Sequence, residues 1–297
     1  MRHVRSGLAS RYVNDNPQEI VMTATIPQVD AELFAQQWRE WHTQHEARLG
    51  DRHGFLAITS INWLTETPQR FPDAPGTWST DATGVHVTLA DGESIVVNGQ
   101  SVSGSYDFGP LPERGGINVT WQDGDKDVVI EVAKRGGFDI VRPRHPDAPL
   151  VTAYHGTPAY EPRPEWAVTG RFVPFDAPRP TEVGAAVDGI RHTYNAPGRV
   201  EFEIGGQPLA LTVFSNEHGS GYNLLFTDET SGVTTWPANR SLSLGEPDDD
   251  GALVLDFNRA TNLPCAYTDL ATCPLPPAEN RLPVAVEAGE KIPYERA

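Results

Sequence analysis

A period-two alternation of apolar and polar residues, broken by glycine turns, recurs along this chain and limits what it can fold into. Val85, Val87 and Leu89 alternate with polar residues up to Asp91-Gly92, and Ile95 and Val97 resume the pattern. Ile117, Val119 and Trp121 lead to Asp123-Gly124 and then Val128, Ile130 and Val132. Val200, Phe202 and Ile204 lead to Gly205-Gly206 and then Leu209, Leu211 and Val213. A fourth unit joins Leu242–Leu244 through Asp250-Gly251 to Leu253, Leu255 and Phe257. Alternation places one face of a strand on a core, and Asp-Gly or Gly-Gly supplies the positive φ that tight hairpins need. The expected fold is all-β, mainly antiparallel, a hairpin-rich sandwich or barrel-like body with one N-terminal helix.

That helix is expected over Asp30 to Leu49. Leu33, Phe34, Trp38, Trp41 and His45 recur at three- and four-residue spacing, Asp30 can cap the start and Gly50 can end it. The apolar stretch Gly54 to Leu64 fits a buried strand or a wall of the core. Nine prolines between Arg142 and Pro180 mark an edge or a connector, because proline cannot donate to a central ladder. The expected organisation is a polar extension over 1–29, a helix plus β unit over 30–160, and a second β unit over 161–297. Met22 is a candidate natural start.

The formal charge is −17. Such a surface repels phosphate backbones and anionic headgroups, which argues against nucleic acid and membrane as partners. No run of apolar residues reaches the ~18 that a spanning helix requires. Met1 to Glu19 contains no apolar core of a signal peptide, which points to the cytoplasm.

Chemistry concentrates between Asp256 and Glu290. Asn258, Arg259, Asn280 and Arg281 offer fixed donors, and guanidinium forks suit carboxylate or phosphate. Arg240, Thr230 and Ser231 lie upstream and complete a candidate ligand-binding set, with a small anionic molecule as the expected partner. Asp256 and Glu290 are the candidates for acid–base work, in a small-molecule-handling protein of the hydrolase kind. The alternative is a non-catalytic binding or interaction module in which the segment is a structural clasp. A loop containing Pro264, Pro274, Pro276 and Pro277 must satisfy its buried backbone with side chains, and Asn, Asp and Arg do that. Convergence of Arg240, Arg259 and Arg281 in one concavity separates the two.

The pieces DFNRA, PCAY, TCPLPP, ENRL and AGEK, in this order, resemble a bacterial and archaeal family described only as a domain of unknown function. Asp228-Glu229-Thr230-Ser231-Gly232, Arg240 and the Gly54–Leu64 phrase resemble further elements of it. The resemblance implies no activity. This chain has Thr261-Asn262-Leu263-Pro264-Cys265 where the family pattern has Tyr-Asn-Pro-Pro-Cys, and Asn239-Arg240 where the pattern has Gly-Arg.

Three states fit Cys265 and Cys273: buried free thiols, a disulfide stapling the loop, or part of a metal site that would need two more ligands. His42, His45 and Glu46 share a helix face but not the order of a zinc-protease motif, so an amphipathic helix is the expectation and no metal is assigned. His218-Gly219-Ser220-Gly221 lacks a nucleophile elbow and reads as a turn. Asn98-Gly99 is superficially similar to phosphothreonine-binding β-sandwich modules, whose other motifs the chain lacks. Neither a phosphate-binding loop nor a dinucleotide fingerprint occurs, so no cofactor is expected. Oligomeric state is left open.

Overall fold

The computed structural model describes residues 30–216 and 219–296. The extension over 1–29, the candidate start at Met22 and His218 lie outside the described residues. The protein is mainly antiparallel β, with the helix α1 (Ala31–Leu49), a short helix α2 (Pro149–Ala153), and no closed barrel.

Three sheets carry the chain. A four-stranded sheet holds Gln69–Phe71, Ala74–Asp81, Gly84–Thr88 and Ser105–Gly109. A six-stranded sheet packs against it and includes Gly116–Asp123, Lys126–Arg135 and Phe138–Arg144. Their shared core is built around Trp78, Val119, Val128, Ile130 and Val132, each fully buried. The seven-stranded sheet begins at Ala252–Asp256 and runs through Ala167–Gly184, Arg191–Ile204 and Gln207–Ser215. It then continues through Tyr222–Phe226 and Arg240–Leu244 to Thr261–Asn262. It curls until Leu242 and Leu244 from one side share a core with Leu253 and Leu255 from the other, without the edges pairing.

Two of the expected hairpins form. Ile204 faces Gln207 across Gly205 and Gly206, whose φ values of 59° and 78° suit a type I′ turn. Asp123 faces Lys126 across a turn that opens with Gly124 at φ 61°. The other two do not. Gly84–Thr88 and Ile95–Val97 enter different sheets, because the Glu93 carboxylate accepts from Ala90 N and Gly76 N and redirects the chain at Asp91-Gly92. The hairpin that does form there turns on Asn98-Gly99. Near Asp250-Gly251, the Asp248 carboxylate accepts from Ala252 N, and Ala252–Asp256 pairs with Ala167–Arg171 instead of Arg240–Leu244.

The proline-rich stretch corrects the sequence expectation in part. Ala167–Gly184 is an interior strand of eighteen residues, containing Pro174, Pro178 and Pro180. Its pairing with Ala252–Asp256 stops at Arg171, so among the described residues these prolines lie where one side of the strand has no partner strand, and the register shifts between Pro174 and Arg179. Gly54–Leu64 is a 3-10 turn with Leu56 and Ala57 fully buried, followed by the two-residue strand Asn62–Trp63.

Helix α1 is capped as expected. Asp30 Oδ1 accepts from Glu32 N at 3.0 Å and Leu33 N at 3.3 Å. It buries no residue fully, so its aromatic stripe is not a core stripe. Instead Trp38 Nε1 donates to Asn258 O at 2.7 Å, Arg259 lies over the Trp41 ring, and His45 Nε2 is 2.9 Å from Glu290 Oε1. Among the described residues no helix is long and apolar enough to cross a membrane.

Candidate functional site

The polar side chains in and around the Asp256–Glu290 segment are largely taken up by backbone groups and side chains elsewhere in the protein. Arg240 is almost completely buried. Its Nη2 donates to Asp228 Oδ2 at 2.7 Å and Val286 O at 3.1 Å, and its Nη1 to the carbonyls of Ala288 and Glu290. Burial opposes its charge and Asp228 supports it, with a net downward shift of its pKa. Thr230 donates twice to Asp228 Oδ1, and Ser231 Oγ accepts from Asp228 N. Asn280 is fully buried: Oδ1 accepts from Thr212 N, while Nδ2 donates to the carbonyls of Thr212 and Leu225, each at 2.8 Å. Asn258 ties both backbone groups of Arg163.

The two carboxylates expected to do acid–base work are held in the same way. Asp256 accepts from Asn258 N and faces Arg259 at 3.2 Å. Glu290, 2% exposed, accepts from Asn262 N at 2.5 Å and faces His45. Arg281 is exposed. The expected convergence in one concavity is therefore not found: Arg240 lies in the interior, Arg259 against α1, and Arg281 at the surface. None of the nine residues lines a principal pocket of the described residues.

A cavity of about 250 Å³ lies elsewhere, between the six-stranded and seven-stranded sheets. Its polar lining includes Arg114, Arg135, Arg142, His192, Tyr194 and Cys273. The first three come from the six-stranded sheet and its flanks, His192 and Tyr194 from Arg191–Ile204, and Cys273 from the signature segment. Arg142 stands directly opposite Glu131 across the ladder, and its Nε and Nη2 donate to Glu131 Oε2 at 3.0 and 2.7 Å. Arg144 donates to the same oxygen and Arg135 to Oε1 at 2.8 Å. Burial pushes the Glu131 carboxyl up, but Arg142 and Arg144 outweigh it and hold the group below the usual carboxylate range. One carboxylate thus serves three guanidiniums. Arg114 lies over the Tyr194 ring, 3.9 Å from its centroid, on backbone with φ 64°.

His192 is 3% exposed, and burial holds its pKa below the ordinary histidine value. Its Nε2 donates to Thr272 O at 2.7 Å, and Nδ1 has no hydrogen-bond partner. The neutral ring therefore carries an unused acceptor in the cavity wall. Cys265 and Cys273 are buried free thiols, with Cys265 N donating to Cys273 Sγ at 3.2 Å. Its contact with Cys265 and its burial push the Cys273 thiol well up, so it is a poor nucleophile at neutral pH.

Polar groups gather a second time beside α1. His42, Glu46, Tyr154, His155 and Tyr294 line an open pocket of about 430 Å³. Glu46 accepts from Tyr154 Oη and Thr157 N and faces His42 at 3.3 Å, and the chain continues from Thr157 to Tyr267 at 2.8 Å. Burial and Glu46 push the Tyr154 phenol up, which leaves it a donor. Among the described residues no three His, Cys, Asp or Glu side chains are placed to hold a metal.

Sequence reasoning missed the cavity arginines because they lie outside the Asp256–Glu290 segment. The signal that could have found them is Arg142 and Arg144 at i, i+2 beside apolar Ile140, which puts charge on an inward strand face.

No curated protein is similar to the chain. An uncharacterised protein of Haloarcula marismortui, known from a solution NMR structure, is 28% identical over 48% of this chain and 79% of its own, with a TM-score of 0.40. The family described as "Protein of unknown function (DUF1684)" matches residues 152–291, a span that contains the whole stretch from DFNRA to AGEK.

Proposed function

We propose that the protein binds a small anionic molecule in the arginine-lined cavity between the two β bodies, and that the Asp256–Glu290 segment is a structural clasp supplying one wall of it. The observation that carries the reading is the ratio at Glu131, three guanidiniums against one carboxylate, in a chain whose formal charge is −17. A cluster that keeps surplus positive charge beside a cavity lined by Arg114, Arg135 and Arg142 favours a carboxylate or phosphate. Asp256 and Glu290 are committed to backbone and ion-pair contacts, so no hydrolytic step is assigned to them.

Thermal unfolding in the presence of inorganic phosphate or citrate at low salt tests the proposal. Both anions are expected to raise the midpoint of the wild type and of Arg281→Ala, because Arg281 is far from the cavity. The double variant Arg114→Gly/Arg135→Gln removes two lining guanidiniums, and glycine accepts the left-handed backbone at 114. Its midpoint is expected to stay flat. Equal shifts in the double variant and the wild type, or no shift in either, overturn the reading.

A further inference from the structure

The arginine cavity does not end at Arg114 and Tyr194. A second chamber of about 200 Å³ shares Arg114, Tyr194 and Pro274 with the first. The two therefore adjoin, with the Arg114–Tyr194 stack where they meet. Resting on the anion-binding reading, we propose that the ligand is a phosphorylated sugar, with its phosphate on the Arg135/Arg142 side and its hydroxylated ring in the second chamber.

The charge chooses the head group. Arg135, Arg142 and Arg144 against Glu131 leave two positive charges. Among the described residues, Arg114 and Glu113 add one charge of each sign, which keeps the surplus at two. A phosphate monoester carries a charge of about −1.5 to −2 at neutral pH and offers three acceptor oxygens, whereas a single carboxylate carries −1.

The second chamber chooses the body. Ser215, Asn216, Asn223 and Ser241 line it with hydroxyls and amides, and among the described residues no carboxylate or lysine lines it. Phe214, Leu225 and Pro274 give it an apolar floor. Asn223 Oδ1 accepts from Ser243 Oγ at 2.8 Å, which leaves the amide nitrogen as a donor. A sugar ring presents hydroxyls around its rim and C–H groups on its faces, and a polar rim over an apolar floor is the complement of that shape. A nucleobase would instead need an exposed aromatic face for stacking. The Tyr194 ring is covered on one side by Arg114 and packs against Phe214, with ring centroids 5.0 Å apart. His192 Nδ1, the unused acceptor in the wall, can take a hydroxyl of the ligand or the proton of a monoprotonated phosphate.

Isothermal titration of the full chain with three probes tests this: inorganic phosphate, glucose, and glucose 6-phosphate. Glucose 6-phosphate is expected to bind at least about ten-fold tighter than phosphate, roughly the gain of one or two well-made hydrogen bonds. Asn223→Ala and Ser241→Ala are expected to erase most of that gain while leaving phosphate affinity unchanged. Retained phosphate binding also shows that the variants fold. Equal affinity for phosphate and glucose 6-phosphate, or a gain that survives both substitutions, overturns the sugar assignment and leaves the anion site standing. If none of the three probes binds, the anion reading and this inference fail together.

Discussion

Arg240 and Arg142 are both buried arginines paired with a buried carboxylate, yet their surroundings give them opposite uses. Around Arg240 the charges balance: one guanidinium meets one carboxylate, Asp228, and three backbone carbonyls, and Asp228 is itself held by Thr230 and by Val286 N. Around Glu131 the charges do not balance, because Arg135, Arg142 and Arg144 share a single carboxylate beside a cavity, while Arg135 and Arg144 also reach backbone carbonyls. The balanced cluster ties the fold together, and on the proposed reading the unbalanced one leaves charge for an anion to meet. Residue type does not distinguish scaffold from site here. Stoichiometry does.

Substitutions can break this contrast. Arg240→Ala has the largest expected effect, because it strands Asp228 in the interior and frees the carbonyls of Val286 and Ala288. Chemical denaturation should show a loss of about 3–5 kcal/mol. Phosphate should restore none of it, and a phosphate-dependent recovery would show that this cluster too is a ligand site.

Glu131→Gln should cost less, about 2 kcal/mol, since the amide keeps some hydrogen bonds while three guanidiniums lose their counter-charge. Here phosphate should recover stability, and more strongly than in the wild type. The pH dependence has a definite sign. The folded-state pKa of Glu131 lies below its ordinary value of 4.5, so its contribution is present above that value and is lost as pH falls through the folded pKa. Acid unfolding of Glu131→Gln should therefore begin from a lower stability but fall less steeply below about pH 4.5 than the wild type. Parallel acid limbs would mean that Glu131 is not the carboxylate holding the cluster.

Arg259→Ala is the smallest test. Its side chain is 41% exposed, and it meets Asp256 and the Trp41 ring. The expected cost is about 0.5 kcal/mol, with anion binding unchanged. A loss of binding would move the site toward α1.

What the sequence made legible follows from how local each instruction is. Asp30 caps α1 with its own side chain, and Gly205-Gly206 turns the chain within two residues, so both could be read directly. Asp91-Gly92 and Asp250-Gly251 are equally good turn sequences, but the neighbour each flanking strand takes is a long-range matter. The carboxylates of Glu93 and Asp248 help redirect the chain there. The Asn- and Arg-rich segment was legible as unusual. Its use was not, because Asn280 satisfies Thr212 and Leu225, partners 68 and 55 residues away. The cavity was the least legible part, since it is assembled from Arg114, Arg142, His192 and Cys273, which meet only when the sheets pack.

The long strand Ala167–Gly184 has a consequence for how copies of this protein meet. Past Arg171 it gives up its second neighbour, and a bare, extended edge of that length would be a template on which another chain could add a strand. Pro174, Pro178 and Pro180 have no N–H to offer an incoming strand, and the shift in register between Pro174 and Arg179 breaks the straight line that such growth requires. The same prolines that disguised this strand in the sequence make it a poor template for strand addition.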